Sequence, residues 1–268
     1  MRRIAALAFS ALLLATPALA ADPPAPAADP IVAVWYRGTP AGTPVPEELA
    51  VIRALGFNGI AWPSSETNGL AALRKMAETV GLHVEVAGPA RPELPVSSPA
   101  TGARIDIIVT AENAGALTAL AWRAIARGAR TIAFDAGVTQ GAGLENPDRS
   151  LKPWARLAIE VARQLTANPR LVNSLRPGPG VIVLPPSTPG LDVVMLDADR
   201  AWALIATNTT ATPVAATVRL PAGTPYAIWL NILDATSLAM NGELAGPRWN
   251  LKLEPGSARF YVIDKVMK

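Results

Sequence analysis

Three acidic side chains lie just beyond stretches that read as β-strands: Glu66, Glu112 and Asp135. Carboxylates at the C-terminal ends of parallel strands are where α/β proteins place acid–base chemistry. Two such groups across a glycosidic bond would suffice to cleave it, one protonating the leaving oxygen and the other attacking or activating water. Trp35, Trp62 and Arg37 lie at the ends of the first two strands, where rings and a guanidinium could hold a sugar. Plainer roles exist for each acid: Glu112 as a helix cap, Asp135 as an acceptor for turn amides, Glu66 in a first helical turn where its charge suits the dipole. Trp122, inside a helical pattern, reads as core. His83 is the single histidine and there is no cysteine, so neither a nucleophile triad nor a His/Cys metal site is expected. Gly137 to Gly143 lacks the Lys-Ser/Thr of a phosphate loop, and no cofactor is expected.

Those acids need a frame. Arg104 to Asp135 reads as strand, helix, strand. Ile105, Ile107, Ile108 and Val109 form a β-branched run; Leu117, Leu120, Ala121 and Ile125 recur at helical spacing; Gly128 sits where a helix ends; Thr131 to Phe134 forms the second strand. A βαβ unit implies a right-handed crossover and a parallel sheet. Upstream, Ile31 to Tyr36, Phe57 to Trp62 and Leu82 to Val86 predict three more strands. Helices from Glu47 to Leu55 and from a Thr67 cap to Gly81 separate them. Ala87 to Ala103 holds four prolines and no helical period. A long helix capped by Ser150 is expected to close this unit, residues 31–176.

Pro- and Gly-rich punctuation over residues 177–190 marks the expected domain boundary, around one short strand from Val181 to Leu184. Residues 191–268 then show short strands at even spacing, the pattern of a small antiparallel sandwich. Asn208-Thr209-Thr210 matches a glycosylation sequon and equally reads as a turn.

Residues 1–20 carry Arg2-Arg3, an apolar run from Ile4 to Ala15, and an Ala18-Leu19-Ala20 cleavage signal. The expectation is a secreted or periplasmic protein, cut after Ala20, with no membrane association afterwards. A Pro/Ala tether over residues 21–30 follows. Loss of Arg2 and Arg3 takes the formal charge from +3 to +1, which argues against a nucleic-acid partner.

Trp35-Tyr36-Arg37, followed by a helix and Gly56-Phe57-Asn58-Gly59-Ile60-Ala61-Trp62, resembles the opening of (β/α)8-barrel glycoside hydrolases. Ala121 to Arg130 resembles the last helix-to-strand passage of family-42 β-galactosidase-like enzymes. The resemblance implies a truncated TIM-barrel-like α/β domain, a carbohydrate ligand, and Glu112 near the nucleophile position. A complete barrel of this kind takes about 250 residues and eight strand–helix units. This chain offers five strands, and it lacks the Asn-Glu pair that carries the acid in that clan. Weak or lost catalysis is therefore expected. The alternative is a non-catalytic carbohydrate-binding or scaffolding protein, and a second subunit could complete the barrel edge.

Overall fold

A computed structural model describes residues 31–35, 45–63, 69–87, 104–134, 144–146, 148, 150–186, 188–221, 228–233, 237–239 and 248–265. The expected leader and tether lie outside these residues.

Five parallel strands, β1 (Ile31–Trp35), β2 (Gly59–Pro63), β3 (His83–Ala87), β4 (Arg104–Ile107) and β5 (Thr131–Phe134), pair in the order β3-β2-β1-β5-β4. This is the cyclic order of a β/α barrel opened between β3 and β4. Residues 88–103, which connect β3 to β4 in sequence, lie outside the described residues. Helices α1 (Pro46–Leu55), α2 (Leu70–Thr79), α3 (Leu117–Ala126), α4 (Ala155–Ala167) and α5 (Pro169–Ser174) accompany the strands. α1 opens on a proline with two glutamates in its first turn, and Gly56 ends it at φ 111°. Alternation within the strands sends Val32, Ile60, Ile105, Ile107, Ile132 and Phe134 into one core with the helices. Gly59 is required in β2 because a β-carbon there would strike Ile31 Cγ2 on β1. The Asn58 amide oxygen accepts from the Val32 N–H at 2.6 Å, and its backbone carbonyl accepts from His83 N–H at 2.9 Å, so one residue fixes the start of three strands.

The second unit is a sandwich. Its six-stranded sheet contains β6 (Arg176–Pro177), β8 (Leu191–Ala198), β9 (Ala201–Asn208), β11 (Ile228–Asn231), β12 (Ser237–Ala239) and β14 (Ala258–Asp264). A three-stranded sheet of β7 (Ile182–Leu184), β10 (Val214–Arg219) and β13 (Arg248–Leu253) covers one face of it. Met195, Leu204, Val218, Trp249, Leu251 and Tyr261 fill the space between the sheets. The stretch expected as a linker thus contributes β7 and the end of β6 to the sandwich.

The other face of the six-stranded sheet packs on α3. Trp122 and Phe260 meet edge to face with centroids 5.0 Å apart, and the Trp122 indole N–H donates to Gln164 of α4 at 3.3 Å. Arg127 donates to Asp192 at 2.9 and 2.8 Å. The Ala119 N–H, one of the unpaired donors of the first helical turn, donates to Gly256 O at 3.2 Å. Gly256 sits at φ 64°, and a β-carbon there would collide with Gly115 O. The two units therefore share one apolar core.

Two local expectations change. The long helix begins at Ala155, because Asp148 claims Ser150 through its N–H at 3.0 Å and its hydroxyl at 2.6 Å. A bridge from Glu145 to Leu151 then occupies the residues that would have formed the first turn. α2 starts at Leu70 behind Gly69, and Thr67 lies outside the described residues. At the sequon, Asn208 is fully buried. Its amide donates to Thr212 O at 2.8 Å and Glu254 O at 3.1 Å while its oxygen accepts from Thr210, so it is the turn and not a glycan attachment point.

Because α3 is common to both units, unfolding should appear as a single calorimetric transition. Trp122→Ala should lower its midpoint by about 10 °C, from a cavity cost of about 3–5 kcal/mol; two separated transitions in the wild type would contradict the shared core.

Candidate functional site

The inner face of the parallel sheet lies beneath the C-terminal strand ends, where a barrel keeps its chemistry. Its centre is small and apolar: Ala33, Ala61 and Ala133, on β1, β2 and β5, are fully buried. Its two edges are charged. Register places Glu85 of β3 beside Ala61, and Asp106 of β4 beside Ala133. Arg104 spans the opening between them. Its guanidinium donates to Asp106 Oδ2 from Nε at 3.3 Å and from Nη2 at 3.1 Å, and Nη1 lies 4.0 Å from Glu85 Oε1. Asp106 is 3% exposed. Glu85 Oε2 is buried and meets no donor. A guanidinium held by two carboxylates offers planar, directional hydrogen bonding of the kind that orients hydroxyl-rich ligands. His83 shares this face at the start of β3 and is exposed.

The C-terminal edge carries the acids expected from sequence. Glu112 lies on the turn after β4 and is exposed. Asn113 shapes that turn: its side chain accepts from Thr110 N–H at 2.9 Å and donates to Ile108 O at 2.8 Å. Asn113, not Glu112, holds the N-cap position of the short turn Ala114–Ala116, and its side chain bonds back to the preceding turn instead of to the helix. Ile108, the next inward position beyond Asp106, is 44% exposed at the mouth. Asp135, Glu66 and Arg37 lie outside the described residues, and Trp35 is described in its backbone alone.

Trp62 is corrected. It shares the face of Ile60, is 0% exposed and belongs to the core beneath the helices, so its ring offers no face to a sugar. The period-two count from Gly59 decides this, because Ala61 points inward and Trp62 must point outward.

Four residues were missed by reading the sequence: Glu85, Arg104, Asp106 and Glu145. Glu85 and Asp106 had a signal. A charge sits between β-branched residues in both Val84-Glu85-Val86 and Ile105-Asp106-Ile107, which marks an inner face that differs from the outer one. Glu145 had none. It lies beyond β5 in sequence, next to the buried Leu144, and burial pushes its carboxyl above the ordinary range. That is the direction a general acid needs.

No protein-family pattern matches the chain, and no curated protein matches it by sequence. Among solved structures it is similar to a gamma-CGTase from the alkalophilic Bacillus clarkii, at 10% identity and a TM-score of 0.44, covering 82% of this chain and 42% of that one. It is also similar to a glycoside hydrolase family 30 subfamily 8 xylanase from Clostridium acetobutylicum, at 11% identity and a TM-score of 0.37, covering 83% and 73%. A family-27 β-L-arabinopyranosidase from Geobacillus stearothermophilus gives 9% identity and 0.37, covering 83% and 61%. The chain spans less than half of the first of these. The chemistry has to be read from its own side chains.

Arg104→Met should lower the thermal midpoint by about 10 °C, since removing one partner of a buried pair costs about 3–5 kcal/mol. Adding Asp106→Asn should recover part of that loss in a double-mutant cycle. Glu145→Gln tests the second acid. A raised carboxyl makes the native state bind protons more tightly than the unfolded one, so stability falls as pH rises through the window above the ordinary value of 4.5. The variant should therefore melt on the order of 1 °C higher than wild type at pH 7 and at the same temperature at pH 4.

Proposed function

We propose that this is an exported, glycoside-hydrolase-like protein that binds carbohydrate and hydrolyses it weakly or not at all, descended from a family-42 β-galactosidase-like barrel. Export is read from the charge, apolar and Ala-x-Ala pattern of residues 1–20. The observation that carries the functional reading is the inner face: a barrel-type sheet open between β3 and β4, with Glu85 and Asp106 both turned onto Arg104 across the opening.

Hydrolysis would ask two carboxylates to flank one bond, with one of them protonated. Glu85 and Asp106 are engaged by the same guanidinium. Glu112 stands in water on an exposed turn, where developing charge is stabilised less than in a dry site. Glu145 has the direction of a general acid, and without an acid in place a nucleophile would forgo about 10²–10⁴-fold in rate. Binding asks less. Hydroxyls donate to the carboxylates, and the guanidinium donates to ring and hydroxyl oxygens.

A panel of chromogenic aryl glycosides, run beside saturation-transfer NMR with free sugars, tests this. The expected result is little or no turnover, with sugar binding in the millimolar range that weakens in Asp106→Asn. Robust turnover abolished by Glu112→Gln would make Glu112 the nucleophile and the protein an enzyme. The absence of any sugar binding in the wild type would remove the carbohydrate reading.

A further inference from the structure

The outer face of the three-stranded sheet, opposite the sandwich core, has a composition unlike the rest of the second unit. Alternation and register define it in three rows. Arg248, Arg219 and Ile182 stand side by side across β13, β10 and β7; Asn250, Thr217 and Leu184 form the next row; Lys252 and Ala215 form the third. Their sequence neighbours Val218, Trp249 and Leu251 point the other way, into the core. None of the eight positions is acidic.

Arg219 and Arg248 are direct cross-strand partners. Like charges in that relation are destabilising. The Arg219 Nε is buried with no hydrogen-bond partner. Asn250 and Lys252 are exposed, and the Thr217 hydroxyl donates to the Asn250 amide oxygen at 3.1 Å, which orients the amide group. Along one side Ile182 and Leu184 are 54% and 40% exposed, an apolar strip in line with the cations. Same-face rows lie about 7 Å apart and strands about 4.8 Å apart, so the face is a flat platform with cations at both ends of about 14 Å.

We infer that this face binds an acidic polysaccharide, with uronate carboxylates on Arg219, Arg248 and Lys252, hydroxyls on Asn250 and Thr217, and the C–H faces of the rings against Ile182 and Leu184. Arg recognises a carboxylate through two parallel N–H donors, and both arginines stand in one row. Three cations beside an apolar strip suit a chain with separated charges and apolar ring faces. A nucleic acid, with a phosphate charge about every 1.7 Å of duplex, calls for a denser basic surface. The site is separate from the barrel face and does not depend on its chemistry.

Affinity electrophoresis of the full chain through gels containing polygalacturonate tests the inference, with the fully methyl-esterified polymer as the matched uncharged control. Retardation is expected in polygalacturonate alone, and it should weaken with added salt. Lys252→Glu, an exposed position whose thermal midpoint should stay at the wild-type value, should weaken binding about three-fold or more, and Arg219→Gln should do the same. Equal retardation by the esterified polymer would overturn the inference, as would unchanged binding in Lys252→Glu. Equally tight binding of single-stranded DNA or of anionic lipid vesicles would reassign the face to polyanions in general and would also overturn it.

Discussion

Helix α3 is buried on both sides, and the rest of the molecule is arranged around that constraint. It covers the parallel sheet as a barrel helix does, and it also carries the six-stranded sheet of the sandwich on its other flank. A helix in that position cannot be amphipathic in the usual way. Ala119, Ala121, Ala124 and Ala126 keep it thin enough for two sheets to approach, while Trp122 fills the gap to Phe260. Its polar needs are met from the sandwich: Gly256 O receives a first-turn N–H, Asp192 receives Arg127, and Thr209 receives Arg123 at 3.3 Å. Arginines that would otherwise simply suit the helix dipole here join two units.

The parallel sheet makes a different compromise. Strands that run through a complete barrel have a neighbour on each side, and among the described residues β3 and β4 each have one on a single side. Both carry charge on the inner face, and Arg104 braces the opening with contacts to both strands. A charged inner edge also disfavours edge-to-edge pairing with another sheet, since a slipped strand would have to bury Glu85 and Asp106 against apolar neighbours. The same side chains that manage the opening give the inner face its hydrogen-bonding capacity. Packing and ligand chemistry are thus served by one cluster, and a substitution there acts on both.

The sandwich spends its two sides unequally. One face of the large sheet is committed to α3, the other to the small sheet, and the remaining surface of the small sheet is free to carry cations and an apolar strip without disturbing either core. Its structural obligations are met by residues pointing inward, such as Trp249, which stands edge to face with Tyr261 at 5.0 Å. The outward residues on the same strands are left to interact with the surroundings.

Local sequence determined the elements. β-branched runs and glycine punctuation placed the five parallel strands, the βαβ unit from Arg104 to Asp135 and the antiparallel character after Gly190, because alternation and helix-ending signals act over a few residues. What local pattern could not decide was which partner each face would meet. Trp62 went to the core because the register of β2 turned it outward, Ser150 left the expected helix because Asp148 competed for it, and the linker contributed strands because β8 and β10 offered open edges. The polar cluster of Glu85, Arg104 and Asp106 spans two strands separated in sequence by a stretch without pattern. It exists because β1 pairs with both β2 and β5, curling the sheet until its β3 and β4 edges face each other, and that is a property of the tertiary fold alone.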